Sequence, residues 1–179
     1  ALPILKTDGR YLYVLQDDCR SIAVVDAQGG RMKVLGRAQV EEGVQISEFY
    51  VDGDRLFALS TEYRSSSSGG EFSYEPPVTR LDAFDLSDPE SPRLQSSAAQ
   101  SGTYASSRFV DGFVYVFSHY AVYDVASSDD PSSYVPCVGE KAMACTDVYL
   151  PPNVAANQYL VAVAYSAQDP GSSVSQKAV

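Results

Sequence analysis

Short runs of strand-forming residues recur along the chain, and three of them share one pattern. The runs are KTDGRYLYVL (6–15), YVDGDRLFAL (50–59) and FVDGFVYVFS (109–118). Each places Asp-Gly between β-branched, aromatic and other apolar residues, and Asp-Gly favours the positive φ angles of a tight hairpin turn. The pattern therefore predicts a strand, a turn and a second strand in each segment.

A second recurring element is an apolar strand that ends in Asp and a turn cluster. Its copies are SIAVVDAQGG (21–30), TRLDAFDLSDPESPRL (79–94), YAVYDVASSDDPSS (120–133) and LVAVAYSAQDPGSS (160–173). Asp-Pro suits the start of a turn, because Asp bonds its own backbone and Pro fixes φ. No stretch shows a 3.6-residue apolar period with helix caps, so the sequence predicts an all-β fold.

The spacing of the Asp-Gly turns indicates a structural repeat. Gly9, Gly53 and Gly112 are 44 and 59 residues apart. The longer interval contains a polar segment rich in Gly, Ser and Pro (62–77), which we interpret as an inserted surface loop. Without about 16 residues of insertion the second interval becomes about 43, within the range of four-stranded propeller blades. The predicted repeat units are 1–46, 47–101, 102–150 and a partial unit, 151–179.

Composition and charge narrow the function classes. Of 179 residues, 45% are apolar and 20% charged, a balance typical of globular domains. Thirteen Lys and Arg against 23 Asp and Glu give a net charge of −10. Such a surface repels phosphate backbones and anionic lipids, so we expect no nucleic-acid partner.

The repeat segments also resemble a known family, the bacterial secreted proteins with a C-terminal β-propeller domain. The resemblance covers residues 6–179 and is carried by KTDGRYLYVL, VDGDRLFALS, DAFDLSDPESP and GTYASSRFVDGFVYVFS, with 102–116 the most specific stretch. It implies consecutive four-stranded antiparallel blades and an extracellular or cell-envelope location. A propeller closes with at least four blades, whereas about three and a half fit here, so we expect an incomplete ring.

The secreted context implied by the resemblance favours a disulfide bond. Cys137 and Cys145 are eight residues apart in a loop-like stretch. We therefore predict that they pair and that Cys19 stays free. Two reduced, partly buried thiols are the alternative.

Acidic clusters in turns are candidates for a hard cation such as Ca²⁺, which takes six to eight oxygen ligands. The weak metal candidates are Asp85, Asp88, Asp129 and Asp130. None belongs to an EF-hand pattern. Turn capping explains these residues better, and we predict no cofactor.

Thirteen Tyr and seven Phe raise the question of a binding platform. Most of these rings lie at strand positions, where packing between blades requires bulk, and we interpret them as core; they include Tyr13, Phe57, Phe84, Phe113, Tyr115 and Phe117. Tyr63, Phe72 and Tyr74 lie in the polar insertion instead. We predict that these three contact a ligand.

Catalytic chemistry has little support in the sequence. His119 is the one histidine, no G-x-S-x-G elbow is present, and the neighbouring Ser118 would point to the opposite face of a strand. No catalytic residue is assigned. We expect a binding scaffold for a protein, peptide or glycan; the alternative is part of a propeller hydrolase or dehydrogenase completed by further blades. Bare blade faces also predict self-association.

Overall fold

The computed structural model describes residues 4–63, 65–68, 71–123, 129–152 and 157–179, with the backbone alone for 65–68 and 71–74. These residues contain sixteen strands and three short 3₁₀ turns, and no α-helix. The strands are β1 (Leu5–Thr7), β2 (Tyr11–Leu15), β3 (Ser21–Asp26), β4 (Lys33–Gln39), β5 (Val44–Asp52), β6 (Arg55–Glu62), β7 (Ser65–Ser68), β8 (Glu71–Tyr74), β9 (Val78–Asp85), β10 (Arg93–Ser101), β11 (Thr103–Val110), β12 (Phe113–Ala121), β13 (Cys137–Val138), β14 (Lys141–Ala142), β15 (Gln158–Ser166) and β16 (Ser173–Ala178). The 3₁₀ turns are Gln28–Gly30, Pro131–Ser133 and Cys145–Asp147. The predicted all-β class is confirmed.

The three Asp-Gly turns form as predicted. Gly9, Gly53 and Gly112 have φ angles of 91°, 56° and 77°. They join β1 to β2, β5 to β6 and β11 to β12. In the first turn, one carboxylate oxygen of Asp8 accepts hydrogen bonds from the backbone N–H groups of Arg10 and Tyr11. Asp therefore closes the turn while Gly supplies the left-handed conformation.

The chain divides into two compact units, and the first consists of Ala1–Thr61 and Leu81–Ser97. Its first sheet is an antiparallel meander in the order β1-β2-β3-β4. Its second sheet has the strand order β5-β6-β9-β10. The unit contains β6 up to Thr61, β9 from Leu81 and β10 up to Ser97. One apolar cluster forms the core of the unit; its larger members are Tyr13, Leu15, Ile22, Val24, Val40, Val44, Ile46, Phe49, Leu56, Phe84 and Leu86.

The second unit consists of Glu62–Arg80 and Ala98–Val179. Its main sheet, which we call the third sheet, is antiparallel in the order β11-β12-β15-β16. The short hairpin β13–β14 pairs with the end of β10, where Gln100 lies opposite Val138. The predicted insertion 62–77 contains the hairpin β7–β8, a separate two-stranded sheet.

The strands of the third sheet are distant in sequence. The predicted repeat units separate 102–150 from 151–179, whereas the structure has β15 and β16 in one sheet with β11 and β12. The reason is the long connection between β12 and β15, which contributes no described strand to the third sheet. Its hairpin β13–β14 pairs with β10 instead.

The described residues contain no helix that is long and apolar enough to cross a membrane.

Candidate functional site

The third sheet has one buried face and one exposed face. On β12, Val114, Val116 and Ser118 are buried, and the alternate residues point to the other side. We call this other side the outer face. It is formed across the four strands by directly paired residues; they include Arg108, Phe113, Tyr115, Phe117, Leu160, Ala162, Ala164, Ser175 and Lys177.

The outer face is apolar and open to solvent. Tyr115 is 39% exposed and Leu160 is 41% exposed. Phe113 and Phe117 are half-buried on either side of Tyr115 along β12. The rings of Phe113 and Tyr115 are tilted against each other with centroids 6.4 Å apart. A row of three aromatic rings therefore lies at the protein surface rather than in the core.

A groove runs along the outer face because the alanine side chains of β15 are much smaller than the aromatic side chains of β12 beside them. Ala162 lies between Phe117 and Lys177, and Ala164 between Tyr115 and Ser175. The alanines form the floor, β12 supplies an aromatic wall, and β16 supplies the second wall. The cavity has a volume of about 410 Å³, which lies within the range of small-molecule and peptide sites.

Two basic side chains of the outer face, Lys177 and Arg108, have different hydrogen-bond partners. The Lys177 ammonium donates to the Asp147 carboxylate at 2.6 Å. This hydrogen bond holds the pKa of Asp147 below its ordinary value. Arg108 lies beside Tyr115 across the β11–β12 pair, is exposed, and donates from one guanidinium nitrogen to the carbonyl oxygen of Ser107 at 2.6 Å.

A buried polar network holds the opposite face of the third sheet. The side-chain amide of Gln100 donates to the Ser118 hydroxyl at 2.8 Å. The Tyr165 hydroxyl donates to the carbonyl oxygen of the Gln100 side chain at 3.4 Å, and burial raises the pKa of Tyr165. Ser118 in turn donates to the backbone carbonyl of Ser101 at 2.7 Å. Because satisfied buried networks fix geometry, this one holds β12 and β15 in register beneath the groove.

Strand β16 lies at the edge of the third sheet, and another segment of the chain contacts this edge at the C-terminal end of the strand. The backbone N–H of Tyr149 donates to the carbonyl oxygen of Ala178 at 2.8 Å, next to a parallel bridge between Val148 and Ala178. Together with the Lys177–Asp147 ion pair, these contacts attach the segment 147–149 to the edge of the groove strand.

Comparison with known proteins identifies the family. The family model of the beta propeller domain matches residues 3–179. The chain belongs to this family. No curated protein and no solved structure matches it.

In a propeller, each blade is a four-stranded sheet. The described residues of this propeller chain contain two four-stranded sheets and one six-stranded sheet, in which the hairpin β13–β14 extends the four strands β5, β6, β9 and β10. We interpret these three sheets as blades. Since a closed propeller requires at least four blades, the prediction of an incomplete ring of consecutive antiparallel blades is confirmed. The outer face is then a face of the third blade.

The aromatic residues predicted to bind a ligand lie on or next to β6 and β8, whereas the groove strands are β12, β15 and β16. Tyr63 follows β6 and is 51% exposed. Phe72 and Tyr74 lie on β8, opposite Ser67 and Ser65 in the hairpin, and their side chains lie outside the described part of the structure. Ligand contact by these three residues stays a prediction.

The cysteines are unbonded in the structure. Cys19 and Cys137 are half-buried and Cys145 is exposed. Burial raises the pKa of the Cys137 thiol. Cys137 belongs to β13, and Cys145 begins the last 3₁₀ turn. The Cys137–Cys145 disulfide stays a prediction that only oxidised protein can test.

Three of the four acidic residues considered for Ca²⁺ cap turns. Asp85 accepts from the backbone N–H of Ser87, and Asp88 accepts from that of Glu90. Asp130 accepts from the backbone and the hydroxyl of Ser132, which lower the pKa of Asp130. Among the described residues, no group of three or more His, Cys, Asp or Glu side chains could hold a metal ion. Asp85, Asp88, Asp129 and Asp130 are weak metal candidates only, and the prediction that no cofactor binds stays untested.

His119 lies on the outer face, opposite Leu160, and is exposed. Ser118, its neighbour, is buried on the other side of β12 and donates to a backbone carbonyl. The two side chains therefore point to opposite faces of the strand, as expected from the sequence.

Sequence reasoning missed the groove. It placed Phe113, Tyr115 and Phe117 in the core together with Tyr13, Phe57 and Phe84. The last three are buried, but Tyr115 is exposed and its two neighbours are half-buried. The signal that could have revealed the groove is the pairing of this aromatic row with the alanines of β15, which becomes visible only once the register is known.

Proposed function

We propose that this propeller chain is a non-catalytic binding scaffold whose third blade recognises a protein, peptide or glycan. The observation that carries the proposal is the outer face, an exposed aromatic and aliphatic surface with a groove of about 410 Å³. Contiguous apolar patches on a protein surface mark interaction sites. Aromatic residues and Arg are enriched at such sites, and both are present here.

The rigidity of the blade supports this role. Gln100, Ser118 and Tyr165 form a hydrogen-bonded layer directly behind the groove strands. A groove on such a support keeps its shape before the partner arrives, which lowers the entropy cost of binding.

Binding arrays test whether the outer face or the insertion 62–77 is the binding site. Peptide and glycan arrays are probed with the wild-type chain and with two matched variants, Tyr115→Ser on the outer face and Tyr63→Ser in the insertion. We expect Tyr115→Ser to lose binding and Tyr63→Ser to retain it. Loss with Tyr63→Ser alone would assign binding to the insertion, and the absence of any bound class would contradict the binding role.

We further propose an extracellular or envelope location, which the family resemblance supports. A protein in that compartment is oxidised. Mass analysis of non-reduced protein isolated from the native host should then show Cys137 and Cys145 in one linked peptide and Cys19 free. Free Cys137 and Cys145 in that sample would contradict both the location and the disulfide.

A further inference from the structure

We infer that oxidation of Cys137 and Cys145 to a disulfide releases the segment 147–149 from the edge of β16. Residues 137–149, which we call the clasp, then form a redox-sensitive cover of a strand edge. This inference rests on the disulfide proposed above and adds what its formation does to the fold.

The clasp is anchored at both of its ends within the second unit. At its start, β13 pairs with the last residues of β10, where the Gly139 N–H donates to the Ala99 carbonyl oxygen at 2.7 Å. At its end, the Tyr149 N–H donates to the carbonyl oxygen of Ala178 on β16 at 2.8 Å. The clasp therefore connects one edge of the second sheet to one edge of the third sheet.

The β13–β14 hairpin fixes the position of the first cysteine. Cys137 lies directly opposite Ala142 in this hairpin. The Met143 N–H donates to the Pro136 carbonyl oxygen at 2.9 Å, so the same antiparallel pairing continues one step further from the hairpin turn. The two chains that leave the hairpin are thus still side by side at this step, and neither has turned back toward Cys137.

The second cysteine lies too far along the chain to bond with the first. Ala144 is extended, with φ of −66° and ψ of 145°. Three extended steps carry Cys145 about 10 Å beyond Ala142, whereas Cys137 stays opposite Ala142. A disulfide requires Cα atoms within about 7 Å of each other. Formation of the bond therefore requires the backbone to move.

The anchor on β16 is the one that yields. Besides the hydrogen bond of Tyr149, it contains the ion pair between Asp147 and Lys177, whose lysine side chain is 64% exposed. Exposed ion pairs contribute little to stability. The other anchor belongs to a hairpin followed by Met143, which is only 4% exposed, and moving it would uncover apolar surface. Cys145 is two residues before Asp147, so drawing it toward the hairpin pulls directly on 147–149.

The exposure of the two thiols sets the order of the reaction. Cys145 is exposed, so its thiolate attacks a small disulfide oxidant such as glutathione disulfide, forms a mixed disulfide and releases one thiol. Cys137 is half-buried, and burial raises the pKa of its thiol. It reacts second: it loses its proton, attacks the Cys145 sulfur and releases the second thiol. Two protein thiols thus become one disulfide, and one oxidant disulfide becomes two thiols.

Oxidation then uncovers the C-terminal end of β16. The Ala178 carbonyl oxygen loses the Tyr149 N–H, and Lys177 loses its carboxylate partner. An unpaired strand edge is a template for pairing with a further strand. Because the cover of this edge comes from the chain itself, its removal does not depend on how many blades complete the ring.

The test follows amide hydrogen exchange of the intact chain by NMR, in dithiothreitol and after oxidation with excess glutathione disulfide. Mass analysis of the oxidised sample should find Cys137 and Cys145 in one linked peptide. We expect the Tyr149 amide to exchange at least about tenfold faster in that sample, because it has lost its acceptor. The Gly139 amide should stay as protected as in the reduced protein, and dithiothreitol should restore slow exchange at Tyr149.

Two serine variants serve as controls. Cys145→Ser removes the exposed thiol and should keep slow exchange at Tyr149 under both conditions. Cys19→Ser removes the thiol of the first unit and should respond to oxidation as the wild type does. Circular dichroism confirms that both variants are folded.

Unchanged exchange at Tyr149 in a sample that contains the linked peptide overturns this inference alone. Faster exchange at Gly139 with Tyr149 still protected also overturns it, because the other anchor then yields. An oxidation response of Cys145→Ser equal to that of the wild type has the same consequence. If oxidation gives no linked peptide, the disulfide proposed above fails together with this inference, and the binding role of the outer face is decided separately by the arrays.

Discussion

Gln100 on β10 donates a hydrogen bond of 2.8 Å to the hydroxyl of Ser118 on β12, and both side chains are buried. The oxygen of the Gln100 side-chain amide accepts a hydrogen bond from the hydroxyl of Tyr165 on β15. One side chain thus links three strands of the second unit. The network lies behind the groove, so its loss should affect both stability and the shape of the outer face.

Replacing Gln100 with Leu should lower the free energy of unfolding by about 2 kcal/mol, because buried Tyr165 loses its acceptor. Urea denaturation measures the change. Gln158→Leu, at an exposed end of β15, is the matched control and should change stability by less than about 0.5 kcal/mol. Equal effects from the two substitutions would show that the network is not a stabilising one.

Gly102, between β10 and β11, should tolerate no side chain. Its φ is +97°, and a Cβ atom there would collide with the backbone carbonyl of His119. We expect Gly102→Ala to cost more than about 3 kcal/mol. Gly112→Ala, at a turn with φ of +77° and open space around it, should cost only about 1 kcal/mol. Thermal unfolding of the two variants tests the difference, and a milder effect at Gly102 would contradict it.

The Asp147–Lys177 ion pair gives a pH-dependent contact at the edge of β16. The pKa of Asp147 is lowered mainly by its hydrogen bond to Lys177. A carboxylate with a lowered folded-state pKa stabilises the fold above its ordinary pKa of about 3.9, and this contribution is lost as the pH falls through the folded-state value. Lys177→Met should raise the pKa of Asp147 and leave that of Asp130 unchanged, measured by carboxyl NMR titration. An unchanged pKa at Asp147 would show that the pair does not persist in solution.

The hairpin β7–β8 should contribute little to stability. It forms a two-stranded sheet of its own, and isolated two-stranded hairpins are marginal in water. Deleting residues 65–70 should therefore shift the Tm by less than about 2 °C. A drop of several degrees would show that the insertion packs on the body of the protein.

Much of the fold is visible in the sequence, because turn chemistry is local. Asp-Gly at residues 8–9, 52–53 and 111–112 fixes three hairpins without reference to the rest of the chain. The pairing of β13 with β10 is different. Two-residue strands have no readable alternation, and this pairing depends on which edge is free after the blades form, as the hydrogen bond from the Gly139 N–H to the Ala99 carbonyl illustrates.

The groove could not be read from the sequence for a related reason. FVYVFS is apolar at every position but the last, which is typical of a strand buried on both faces. Which face of β12 is covered depends on its neighbours, not on its own pattern. Val114 and Val116 are buried, whereas Tyr115 between them is exposed.

The central claim is that the outer face of the third blade is open to a partner, and solvent paramagnetic relaxation of methyl groups tests it most directly. A soluble gadolinium chelate should broaden the methyl signals of Ala162 and Ala164, at the groove floor, while those of Val161 and Val163 on the buried face stay sharp. Equal protection of the alanine and valine methyls would contradict the account, because it would show that another layer already covers the groove.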